Sequence, residues 1–123
     1  MTLAETLILV GRIALGLFFI IAAIRNFMRF SARIASDTNY GWKLPPAVIA
    51  LGFVTQLVGG LSVTLGILPV YGAIALIIFL ICATALYHNF TLFKGEERSP
   101  HLYFTLVNCA LVGHCLMVIG TSL

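Results

Sequence analysis

Four long apolar runs, separated by shorter polar stretches, set the rhythm of this chain: residues 4–27, 46–68, 70–90 and 102–120. An α-helix needs roughly 20 mainly apolar residues to cross a bilayer, and each run comes close to or passes that length. The pattern predicts an all-α integral membrane protein, a four-helix antiparallel bundle. The second and third runs are joined by little more than Leu68-Pro69, which leaves room only for a tight hairpin. After the first run, Phe27, Phe30 and Ile34 recur at helical spacing while Arg29 and Arg33 lie elsewhere on the wheel, predicting a short amphipathic interfacial helix between helices 1 and 2. Tyr40-Gly41-Trp42-Lys43 brings aromatic rings and a cation of the kind enriched at headgroup depth. Pro45-Pro46 then starts the second spanning helix, and Ser99-Pro100 opens the fourth after a solvated loop, Lys94 to Arg98.

Composition agrees with the pattern. Hydrophobic residues make up 61% of the chain and charged residues only 9%, with a mean hydropathy of +1.10, more than a water-soluble domain of this size carries. Four helices use nearly all of the single domain, residues 1–123, so no soluble catalytic domain fits beside them. The first run lacks a basic leader, has Glu5 ahead of it and holds Arg12 inside it, so it is expected to be a helix of the mature protein and not a secretory signal. Six of the seven Lys and Arg residues fall on the side shared by the first and third loops. That bias predicts cytoplasmic loops at 28–45 and 91–101 and both termini outside, and it accounts for the net charge of +3 without a nucleic-acid partner.

Polar side chains within the spans are costly in lipid, so each asks for a partner or a function. The candidates are Arg12, Arg25, Gln56, His88, Asn108 and His114. Counting roughly 1.5 Å per residue from the basic rim places Arg25 and His88 near that rim. The same count puts Asn108 roughly 10 Å in, Gln56 roughly 15 Å in, and Arg12 and His114 roughly 20 Å in. Arg12 has the reach to meet Gln56, the Thr55 or Thr64 hydroxyl, or backbone carbonyls. Gln56 sits among Gly52, Gly59 and Gly60, a small-residue stripe that lets a neighbouring helix approach closely, and interhelical glue is its expected role.

Several chemistries are disfavoured. His88 and His114 differ in depth by roughly 14 Å, too much for two axial ligands of one haem. His88 and His101 share the basic rim but lack a nearby third metal ligand. Cys82, Cys109 and Cys115 form no Cys-x-x-Cys, which speaks against a disulfide-exchange enzyme. Phosphate loops, paired intramembrane carboxylates and nucleophile-base motifs are missing, so no catalytic residue is assigned and no metal is expected.

Taken together, Val10-Gly11-Arg12, Ala23-Ile24-Arg25-Asn26-Phe27, the Gly52-x3-Gln56-x2-Gly59-Gly60-Leu61-x4-Gly66 run, Tyr87-His88-Asn89-Phe90 and Asn108-x4-Gly113 resemble the DoxX family. The resemblance implies a four-helix integral membrane protein of the bacterial inner membrane found alongside redox systems such as terminal oxidases and thiosulfate:quinone oxidoreductases. This chain departs from the family pattern where Gln56 stands in place of a common Glu, Val107 in place of a common Lys, and Arg25 in place of a common Lys. The basic residue usual after the second helix is also missing at Leu68-Pro69-Val70.

Losing both the Glu and the Lys favours a supporting role over proton-coupled chemistry. The expectation is a non-catalytic subunit or accessory protein of a bacterial membrane redox complex, with other membrane subunits and lipids as its partners. Gly52, Gln56, Gly59, Gly60, Asn108 and Gly113 would then line the packing seam. The alternative is an oxidoreductase component in which Arg12, Arg25 and His88 contact a quinone or small anion. Either reading needs no intrinsic cofactor beyond a quinone or lipid bound at the bundle surface. A small-solute transporter ranks last, because neither inverted repeats nor broken helices are evident.

Overall fold

In a computed structural model describing residues 1–123, the chain forms five α-helices: α1 (Leu3–Met28), α2 (Phe30–Ala35), α3 (Pro46–Leu65), α4 (Pro69–Tyr87) and α5 (Arg98–Ser122). Single 3-10 turns over Phe90–Leu92 and Gly95–Glu97 link α4 to α5. Four of the five helices are long and apolar enough to cross a membrane, and there is no strand. The expected all-α bundle is therefore observed. Its boundaries shift by a few residues, most visibly at α5, which begins at Arg98 and not near Leu102.

Local chemistry explains the helix ends. Thr2 and Glu5 form a capping box: the Thr2 hydroxyl accepts from the Glu5 amide at 3.1 Å, and the Glu5 carboxylate accepts from the Thr2 amide at 3.1 Å. Pro46 and Pro69 occupy first-turn positions where no amide donor is needed. α3 stops at Gly66, whose φ of 71° is left-handed. The Ser62 hydroxyl closes the hairpin by donating to the Ile67 carbonyl at 2.6 Å and the Leu68 carbonyl at 3.0 Å.

The helices stand in a row in which α1 packs on α3, α3 on α4 and α4 on α5, while α1 and α5 meet only slightly. Leu15, Phe19, Val63, Leu76, Leu80 and Cys115 form the shared core. Only 17 of the 123 residues are buried, and Leu7, Phe18, Ile21, Ile78 and Leu116 point outward. That distribution suits a bilayer, where close packing rather than the hydrophobic effect holds helices together.

The two consecutive glycines of α3 serve different neighbours. A Cβ on Gly60 would lie 2.9 Å from the Gly16 carbonyl oxygen of α1, and a Cβ on Gly59 would lie 2.8 Å from Leu76 Cγ of α4. Successive residues are about 100° apart around a helix, so the pair lets α3 draw in a helix on each side.

At the loop end, the segment after α2 folds over the end of α4. Asn39 donates from its backbone amide to the Leu86 carbonyl at 2.7 Å and from its side chain to the Tyr87 carbonyl at 3.1 Å, and the Tyr40 hydroxyl donates to the Ala85 carbonyl at 3.1 Å. These bonds satisfy carbonyls that the end of a helix leaves free. They also put the first and third loops at one end of the bundle.

Candidate functional site

The polar side chains within the spans fall into four separate places. The first lies between α1 and α3, where Gln56, only 5% exposed, accepts through its side-chain carbonyl from Asn26 Nδ2 at 3.0 Å. Gln56 is ten residues into α3, about 15 Å along its axis. The contact corrects the depth count: with Phe27 packed on Phe53, the last turns of α1, Arg25 and Asn26 included, lie beside the Phe53–Gln56 stretch of α3 and several residues below its start. The reason is that α1 ends short of that start, and Phe30 of α2 still rests against Phe53.

The second place lies between α4 and α5. Asn108 Nδ2 donates to the Thr84 hydroxyl at 2.8 Å. Asn108 and Gln56 thus tie different helix pairs and do not share a single seam. Gly52 makes an ordinary contact, its Cβ position 3.4 Å from the Phe79 ring, while a Cβ on Gly113 would meet open space. Gly113 therefore takes no part in close packing. Gly16, which packs closely as Gly59 and Gly60 do, was not singled out from sequence. A Cβ there would collide with the Thr64 hydroxyl and come within 2.7 Å of the Gly60 carbonyl.

The third place is the basic rim. His88 Nδ1 and His101 Nδ1 are 3.4 Å apart, one ring nitrogen donating and the other accepting. His101 stacks on Phe93 with centroids 4.0 Å apart, and His88 stacks on Phe104 at 4.7 Å. The Thr105 hydroxyl donates to the His88 carbonyl at 2.7 Å. His88 is thereby fixed at the junction of α4 and α5.

The fourth place is a cleft between α1 and α5, of about 230 Å³ and lined by residues that include Leu7, Ile8, Gly11, Arg12, His114 and Met117. Here Arg12 bonds none of the polar side chains expected beside it. Gln56 is engaged by Asn26, the Thr55 hydroxyl donates to the Leu51 carbonyl at 2.8 Å, and the Thr64 hydroxyl is buried without a partner. None of them bonds Arg12, whose Nε is buried and unpartnered. Its guanidinium instead lies across the end of α3, with Cζ 3.1 Å from the position a Gly66 Cβ would take. A cation is favourable there because the unpaired carbonyls at a helix C-terminus carry partial negative charge. His114 Nε2 faces Gly11 at 3.8 Å on the same measure, so Arg12 and His114 look into one cleft.

Arg12, Arg25 and His88, grouped from sequence, are not brought together. Arg25 is exposed on α1 beside Phe18, Ile21 and Ala22, in a separate shallow hollow. Arg12 and Arg25 are thirteen residues apart on one helix, about 20 Å.

Helices of membrane-spanning length, joined by hydrogen bonds between neutral side chains and clad in outward apolar side chains, define a multi-pass membrane bundle. The sequence profile of the DoxX family matches residues 7–89. That is more than half of the chain, which belongs to this family. The match ends with α4, so the Asn108-x4-Gly113 pattern of α5 lies outside it. No curated protein and no solved structure matches the chain.

Proposed function

We propose that this DoxX protein is a non-catalytic subunit or accessory protein of a bacterial membrane redox complex. The observation that carries the reading is the Asn26–Gln56 bond. The buried group of α3 that replaces a common family carboxylate is a neutral amide with its carbonyl engaged, and a neutral amide pair neither stores nor passes a proton. Asn108 is spent in the same way on Thr84. With its amides holding helices together, the chain leaves electron transfer to a partner. Affinity purification of the full chain from native membranes, followed by identification of co-migrating chains, tests the reading.

The inner membrane and the orientation with termini outside belong to the same proposal. The two loops that share one end of the bundle carry Arg29, Arg33, Lys43, Lys94 and Arg98, which supports placing that end in the cytoplasm. The second reading, a quinone or small-anion site, keeps only Arg12 of its three residues. The unpartnered Nε of Arg12 favours it, with His114 as the neighbour in place of Arg25 and His88.

A further inference from the structure

The Arg12 guanidinium lies against Gly66 at the hairpin end of α3, its Nε is buried without a partner, and no acidic side chain pairs with it. The one ion pair joins Lys43 to Asp37 in the first loop. The acidic residue nearest to Arg12 in sequence, Glu5, is held in the α1 capping box seven positions away and forms no ion pair with it. The carbonyl end of α3 offers partial charge only. A partly buried guanidinium without an acidic partner is costly unless an anion reaches it, and the cleft between α1 and α5, which Arg12 lines, is the route by which one can.

We propose that this cleft binds a monoanionic amphiphile. Its carboxylate or phosphate head is taken by Arg12 with His114 beside it, and its tail leaves past Leu7, Ile8 and Met117 into the bilayer. The cavity of about 230 Å³ is below the roughly 300–1,000 Å³ of sites that enclose a whole small molecule, which suits a head and the first part of a tail. Charge selects an anion over a neutral carbonyl compound, because only the anion cancels the guanidinium charge. This goes beyond the accessory role and does not depend on a partner being present.

The test uses the purified full chain in neutral phosphatidylcholine nanodiscs with a spin-labelled stearic acid, reading the immobilised fraction by electron paramagnetic resonance. Wild type immobilises the acid but not its methyl ester. Arg12→Gln weakens the affinity by about tenfold or more, the effect of losing a hydrogen bond to a charged group, while Arg25→Gln leaves it unchanged. Met117→Trp, which fills the cleft and keeps Arg12, also abolishes immobilisation and decides the matter if Arg12→Gln does not fold. Displacement of the probe by oleate identifies a free fatty acid as the source, and displacement by phosphatidylglycerol identifies a lipid headgroup. Equal immobilisation of acid and ester, or wild-type affinity in Arg12→Gln, overturns the proposal. Failure to immobilise the acid in a chain that still co-purifies with a redox partner overturns it too, and leaves the accessory role standing.

Discussion

Asn26 and Gln56, thirty positions apart in sequence, are joined by a 3.0 Å hydrogen bond that fixes the register of α1 against α3. Interhelical hydrogen bonds in membranes average about 0.6 kcal/mol and reach about 1.7. A double-mutant cycle of Asn26→Ala and Gln56→Ala, followed by reversible unfolding in mixed micelles, is expected to return a coupling in that range. Strictly additive effects would show that the two amides do not act together.

Gly16 and Gly113 predict opposite outcomes for the same substitution. Gly16→Ala forces α1 away from the Gly60 carbonyl and the Thr64 hydroxyl, an overpacking that costs about 1–3 kcal/mol. Gly113→Ala enters open space and removes the entropic penalty of a mid-helix glycine, so stability holds or rises by up to about 1 kcal/mol. Unfolding of the two variants side by side checks this, and equal losses would contradict it.

Gly66 answers to two constraints, its left-handed backbone and the guanidinium of Arg12. Gly66→Ala should cost more than the roughly 1–2 kcal/mol of the left-handed conformation alone. Adding Arg12→Ala to Gly66→Ala should then cost less than Arg12→Ala costs in the wild-type background. If the two losses simply add, the guanidinium does not press on this turn.

The bundle was legible in the sequence because spanning helices announce themselves by length and apolarity alone, and prolines mark where the second and fourth begin, whereas Gly66, which stops α3, reads in sequence as part of a packing run. Lateral contacts were harder to read. Gly59 and Gly60 look alike on paper, yet they face different helices, and Gly16 gives no local sign that it is the counterpart of Gly60. Depth counting failed for Arg25 because it assumed that every helix reaches the rim, whereas α1 stops early, its last turns lying beside Phe53 of α3. The same count did place Arg12 and His114 at one depth. That was the signal for their shared cleft, and it went unused because α1 and α5 are the most distant helices in sequence.

Orientation gives a fourth prediction. In intact cells, a cysteine introduced by Ser99→Cys should be protected from a membrane-impermeant maleimide, and one introduced by Ser122→Cys should be labelled. The native cysteines are replaced in that background, since Cys82 and Cys109 are exposed on the bundle. The reverse labelling would invert the topology drawn from the basic loops.

The central claim is that this chain serves a redox complex without performing its chemistry. Its most direct measurement is the mass and activity of the species isolated with the tagged full chain, at native abundance, from native membranes in mild detergent. The account predicts a particle heavier than the chain and its detergent, containing an oxidoreductase whose turnover survives Gln56→Ala and Asn108→Ala wherever the particle stays assembled. A particle containing this chain alone, or an assembled one whose turnover vanishes with either substitution, would contradict it.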